Sequence, residues 1–194
     1  QKSAKKMDKA VAKELPPLKL EKATFHTVVE SLAENAWTRD GMDRGAFEVA
    51  TNPGQPAGPL TRVASGGELS RFLLSLKVVL ASTRIAPTLV FDEVDSGIGG
   101  ATADAVGERL ARLSECTQVL VITHSPQVAA RGDHHWRVAK ATKGKQTITE
   151  VTQLSADERR EELARMLAGA TVTDQARAAA DSLMAGQVSR RENA

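Results

Sequence analysis

The segment from Thr88 to His124 constrains the fold more than any other. Thr88-Leu89-Val90-Phe91 is a short apolar run that ends in two adjacent carboxylates, Asp92 and Glu93. After a glycine-rich stretch, residues 101–113 place Ala103, Val106, Leu110 and Leu113 on one helical face, and a second apolar run follows, Gln118-Val119-Leu120-Val121-Ile122. A strand covered on both faces reads as continuous apolar sequence, and a strand-helix-strand unit is normally a right-handed crossover between parallel strands. The expectation is an α/β fold with a parallel sheet. In open sheets of this kind ligands gather at the carboxyl ends of the strands. That places Asp92, Glu93 and His124, which follows the second run, at one sheet edge.

Two carboxylates at such an edge suit phosphoryl transfer, which needs one acid to help hold Mg²⁺ and a second group to orient or deprotonate the attacking water. Asp92 fits the first role and Glu93 the second. Acids also end apolar runs for no chemical reason, and the pair alone leaves both readings open. Asp95, Gly97, Gly99 and Gly100 follow at once, a loop whose backbone can approach a ligand or another subunit closely. His124 can donate to a terminal phosphate or to the attacking water, although a lone histidine at a strand end is more often structural.

Ser65-Gly66-Gly67-Glu68-Leu69-Ser70-Arg71 opens a second helix, with Leu69, Phe72, Leu73, Leu76, Val79 and Leu80 as its expected buried stripe. Ser65 and Glu68 have the spacing of a capping box. A capping box does not require paired glycines, each of which costs about 1 kcal/mol relative to alanine inside a helix. Gly66 and Gly67 suit bare amides and a helix dipole presented to an anion such as phosphate. Nothing matches the Gly-x-x-x-x-Gly-Lys-Ser/Thr phosphate loop; Gly144-Lys145 comes nearest, lacks the earlier glycine and is followed by Gln146.

Elsewhere, Ala4, Met7, Val11 and Leu15 recur at helical spacing among Lys5, Lys6, Lys9 and Lys13 until Pro16-Pro17 stops the helix, as in either a coiled-coil end or a surface helix. Residues 23–29 and 46–51 read as strands, with a Pro- and Gly-rich loop over 52–59. Residues 135–140 and 146–151 read as a hairpin turning at Lys143-Gly144-Lys145. One helix then carries Leu163, Met166 and Leu167 on a face, and another runs from about Asp174 to near Gly186. With 41% hydrophobic residues and no apolar run near the roughly 20 residues that span a bilayer, one soluble domain with no membrane partner is expected, in the cytoplasm. Cys116 is the sole cysteine, which excludes a disulfide framework. A net charge of +2 demonstrates no nucleic-acid partner, and 3% aromatics without tyrosine exclude stacking platforms for single strands. Trp37, Trp136, His134 and His135 read as packing and strand residues, because no other group accompanies them at metal-ligand spacing. The lysines near the start read first as a solvated helix face.

In order and spacing, Ser65-Gly66-Gly67-Glu68, the strand ending in Asp92-Glu93, the Asp95 loop and His124 resemble the C-terminal half of an ABC-type ATPase head, a parallel-sheet P-loop NTPase fold. Within that superfamily, Asn52-Pro53-Gly54, Pro59-Leu60, Ala64 to Arg71, Phe91 to Gly100 and Thr123 to Ala129 resemble the coiled-coil chromosome-maintenance ATPases of DNA double-strand-break repair, over about residues 20–165. Ala64 and Glu68 stand where transporters have leucine and glutamine, and Gly97-Ile98-Gly99-Gly100 replaces their Ala-Leu-Asp loop. The resemblance implies that residues 1–15 end a coiled coil and 16–194 form a C-terminal lobe lacking Walker A, with the phosphate loop on an N-terminal lobe of the same protein. It implies ATP and Mg²⁺ as cofactors, with ATP sandwiched in a homodimer of heads. Asp92 would hold the metal, and Glu93 and His124 would be catalytic. Ser65, Gly66, Gly67, Glu68 and Asp95 would face nucleotide, and the assembly would engage DNA, at double-stranded ends or single-stranded regions, near the nucleoid. Two alternatives are the head lobe of another coiled-coil or transporter ATPase, and an interaction module that hydrolyses nothing.

Overall fold

The computed structural model describes residues 1–39, 41–63, 65–81, 87–143, 146–169 and 171–191, so Ala64, Gly144 and Lys145 lie outside the described residues. The chain divides into two compact units, Gln1–Ile122 and Thr123–Ala194.

In the first unit, helix α1 (Lys2–Glu14) ends where Pro16 and Pro17 cannot continue it, and the chain turns through a 3-10 segment, Pro16–Leu18. Its apolar side packs on the strand that follows, with Val11 and Leu15 buried. That strand, β1 (Thr24–Ser31), pairs antiparallel with β2 (Asp43–Ala50), from Thr24 opposite Ala50 to Ser31 opposite Asp43. Phe25 and Val49 face each other in this register, and both are buried. The loop expected over 52–59 closes with a third strand, β3 (Gly58–Pro59), paired to Val49 and Glu48; proline is tolerated at this short sheet edge.

Helix α2 (Gly66–Val79), strand β4 (Thr88–Asp92), helix α3 (Gly100–Ser114) and strand β5 (Gln118–Ile122) form the expected crossover. β4 and β5 are parallel, in register from Thr88 opposite Gln118 to Asp92 opposite Ile122. On α3, Ala103, Val106, Leu110 and Leu113 are all buried, as their spacing predicts. Two expectations need correction. The buried side of α2 holds Gly67, Arg71, Phe72, Leu74, Ser75 and Leu76, while Leu73 is exposed and Leu69, Val79 and Leu80 are only part-buried. α2 packs against both α1 and α3, so its buried arc is rotated and takes in polar residues that an apolar count passes over. The β4–β5 pair, expected to be covered on both faces, is covered on one: Phe91 is buried, whereas Val90, Leu120 and Ile122 are 63%, 52% and 59% exposed.

The second unit opens with a short helix, α4 (Pro126–Ala129), and a long antiparallel hairpin, β6 (Trp136–Lys143) with β7 (Gln146–Gln153). Helix α5 (Ala156–Ala168) starts at a complete capping box between Ser155 and Glu158. Helix α6 runs Asp174–Arg191, past the expected stop at Gly186. A lone glycine weakens a helix by about 1 kcal/mol without ending it. The core here is Leu163, Ala164, Ala130, Ala176 and Ala180, with Met166, Leu183 and Met184 packed against it. Leu167, placed on the same face as Leu163 and Met166, is exposed, whereas Leu163 is buried and Met166 part-buried.

Candidate functional site

Asp92 is the last residue of β4 and is exposed. Glu93 is exposed as well and has a backbone φ of 55°, in the left-handed region that non-glycine residues rarely occupy. Such a conformation costs of order 1–3 kcal/mol and persists only where the surroundings impose it. Here the constraint is visible. Val94 and Asp95, which follow directly, are both 0% exposed, and the Ser96 N–H donates to the Glu93 carbonyl at 3.0 Å to close the turn. Glu93 is therefore turned outward while the next two residues anchor the loop inward.

The loop then uses its glycines unequally. Gly97 (φ 71°) and Gly100 (φ 54°) take left-handed conformations, and Gly100 begins α3. Asp95 lies beneath this loop rather than on it, and its carbonyl accepts from the Ile98 N–H at 3.3 Å.

Across from the loop, in the same unit, stands the first turn of α2. Ser65 is its N-cap and accepts from the Glu68 N–H at 3.4 Å, the forward half of the capping box. The paired glycines divide their work. Gly66 is exposed with open space around it, leaving the helix start accessible to an anion. Gly67 is buried, and a Cβ there would meet the Ser96 carbonyl oxygen at 3.1 Å and an Arg71 guanidinium nitrogen at 3.2 Å. The second glycine lets α2 sit directly on the loop that follows Glu93.

Sequence reasoning quoted Arg71 but gave it no role. Arg71 is 6% exposed and donates from a terminal nitrogen to the Ser96 carbonyl at 3.3 Å, while its Nε has no partner among the described residues. Burial pushes its guanidinium pKa down, and the Glu68 carboxylate opposes that shift. The signal was present: a cation four residues after Gly67, which places it on the same face of the helix as that glycine.

β5 ends at Ile122, opposite Asp92. His124 belongs to the second unit and is exposed. Beside it, the Ser125 N–H donates to Thr123 Oγ1 at 2.9 Å and leads into α4.

No family model matches the chain. Among curated proteins, the chain is 45% identical over 182 residues to the DNA repair protein RecN of Rickettsia bellii, a match covering 94% of this chain and 33% of that protein. It is 45% identical over 181 residues to RecN of Vibrio cholerae, covering 93% and 32%. With RecN of Xylella fastidiosa it shares 50% over 145 residues, covering 75% and 26%. The chain thus spans about a third of the length of the curated relatives it matches. Among solved structures, an Smc head domain with coiled coil and joint from Pyrococcus yayanosii aligns at a TM-score of 0.56 and 18% identity, over 81% of this chain and 28% of that one. A structure from work on ATP-driven dimerization and DNA-stimulated activation of SMC ATPases aligns at 0.51 and 16%, over 88% and 96%. The fold is that of an SMC-type ATPase head, with α/β layers and a parallel strand pair, and by sequence the chain belongs to the RecN family.

Proposed function

We propose that this chain is the C-terminal lobe of an Mg²⁺-dependent ATPase head in a DNA repair protein, and that it becomes competent only when a phosphate-loop lobe joins it. The observation that carries the reading is the edge formed by Asp92, Glu93 and the first turn of α2. An exposed carboxylate ends a parallel strand, the next carboxylate is held outward in a left-handed conformation, and an accessible glycine helix start lies in the same unit. The donor set suits the groups it would meet. Asp92 is a hard oxygen ligand, free of the buried layer, for Mg²⁺ or its waters, and Ser65 and Gly66 offer hydroxyl and amide donors to a phosphate. When bound, ATP and Mg²⁺ would supply the electrophilic phosphorus and charge neutralisation. Glu93 would orient and deprotonate water, and His124 would contact the terminal phosphate or that water. Gly67 and Glu68 would shape the signature turn, and Asp95 would hold the loop from beneath.

The bare face of β4–β5 supports the same reading, because parallel strands are rarely left uncovered. Its occupant would be the rest of the protein's head, with residues 1–15 as the end of the coil and 16–194 as the lobe. ATP between two heads would draw them together, and DNA would be engaged through that association in the cytoplasm, at the nucleoid.

Mg²⁺-dependent ATP hydrolysis, measured on this chain alone, with the N-terminal lobe added, and with Glu93→Gln, tests the proposal. Activity is expected only with both lobes present, and Glu93→Gln is expected to lower it at least about 100-fold. A folded pair of lobes that hydrolyses nothing, or an active Glu93→Gln variant, would favour the second reading, an interaction module. That reading draws on the lack of any phosphate-loop sequence in the chain.

A further inference from the structure

Arg71 is hard to account for by stability. It is 6% exposed, its hydrogen bond reaches a neutral carbonyl, its Nε is buried without a partner among the described residues, and the Glu68 carboxylate offsets its burial only in part. A buried cation with so little compensation usually costs more than an apolar residue of similar volume would. The helix around it is apolar enough to accept one, with Phe72, Leu74 and Leu76 all buried.

What Arg71 does hold is the backbone of Ser96, at its carbonyl. The Ser96 carbonyl accepts from Arg71 at 3.3 Å, and the Ser96 N–H donates to the Glu93 carbonyl at 3.0 Å. Two hydrogen bonds thus run from α2 to the backbone of Glu93. Gly67 approaches the same carbonyl from the helix start, where a Cβ would sit 3.1 Å from the oxygen and push it aside. The strained residue and the glycine turn are parts of one packed cluster, in which a shift of α2 must move Ser96 and with it Glu93.

We infer that Arg71 is a positioning residue that ties the Ser65–Gly67 turn to Glu93 through the backbone of Ser96, whose carbonyl and N–H belong to successive peptide groups, so that the turn's engagement with phosphate is felt at the water-activating carboxylate. This rests on the nucleotide reading above and adds a coupling between two surfaces of one lobe. In a pair of heads those surfaces serve different nucleotides, so the link would make the two sites cooperative.

The test is the full-length protein carrying Arg71→Met, Arg71→Lys or Glu93→Gln, assayed for kcat and KM against ATP and for Tm. Methionine keeps much of the volume and removes the donors. Arg71→Met is expected to fold with Tm unchanged or raised, to lose about 10-fold in kcat with KM within about 2-fold, and to lose cooperativity in ATP. Arg71→Lys, which retains a donor, is expected to recover part of the kcat. Wild-type kcat in Arg71→Met overturns the inference. So does a failure to fold, or a kcat loss matched by a fall in Tm, since either shows that the arginine is structural. An active Glu93→Gln variant instead brings down the nucleotide site itself. An inactive Glu93→Gln beside a fully active Arg71→Met removes only the coupling.

Discussion

The β4–β5 pair is the more apolar in sequence and the α4–α5–α6 cluster the more charged, yet it is the cluster whose apolar side chains are covered. In the cluster, Leu163, Ala164 and Ala180 are 0% exposed, and the alanines let the helices approach closely. Arg159 donates to the Ala130 carbonyl at 2.8 Å at the end of α4, and Arg177 of α6 reaches Glu161 of α5 at 2.8 Å. Apart from Leu167, the large apolar side chains described on these helices are buried or part-buried. In the strand pair, by contrast, Val90, Leu120 and Ile122 are more than half exposed on one face, at 63%, 52% and 59%. Fully burying each such side chain would contribute roughly 1.5–3 kcal/mol. A two-stranded parallel sheet is also marginal by itself. Among the described residues the cluster is finished, whereas the strand pair keeps one face open, which is the face that the proposed function assigns to the rest of a head.

The largest expected effect strikes the finished side. Leu163→Ala, at the centre of the cluster, should cost about 2–5 kcal/mol in denaturant unfolding, because the surrounding helices relax only partly into the cavity. A cost below about 1 kcal/mol would mean that the cluster is looser than its burial implies.

The next effect addresses the unfinished side. Val90→Ser should change the stability of this chain by no more than about 0.5 kcal/mol, since the side chain already faces water. In the full-length protein the same substitution should cost about 2 kcal/mol. Equal small costs in both would show that nothing covers this face and would remove the contrast.

The sequence made the crossover legible because its signals were local and redundant: two apolar runs, a helix whose four expected core positions are all buried, and acids at a strand end. The stripe on α2 was misread for a different reason. Hydrophobicity marks what a helix can bury, whereas the neighbours of α2, which are α1, α3 and the Ser96 loop, decide what it does bury, so that Arg71 and Ser75 are inside and Leu73 is out. The bare β4–β5 face could not be foreseen from composition, because an apolar run shows what a strand can bury and not whether a neighbour covers both of its faces. At the site, residue types pointed to Asp92 and Glu93. The left-handed backbone of Glu93 and the contact of Gly67 with Ser96 depend on tertiary packing, which spacing does not encode.

The smallest expected effect lies beside the finished cluster. His135 precedes β6, and its pKa is lowered from 6.5 by burial first and by the Arg159 guanidinium second, with the Glu162 carboxylate opposing. The folded state therefore holds His135 neutral, while the unfolded chain takes up a proton near 6.5. Between the folded pKa and that value the unfolded state binds more protons, so this contribution is complete above 6.5 and declines as pH falls below it. Glu162 adds a separate, more acidic limb. Its pKa is lowered from 4.5, chiefly by its hydrogen bond with Arg165, so the stability it supplies is lost as pH falls below 4.5 toward the folded value. Unfolding followed from pH 8 to pH 3 should show both limbs, and His135→Gln should flatten the upper one while moving the lower only slightly, because Arg165 is the main cause of the Glu162 shift and His135 the smallest. A variant that keeps the upper limb would assign it to another group, whereas loss of both would show that His135 is structurally required by the cluster whose completeness sets it apart from the strand pair.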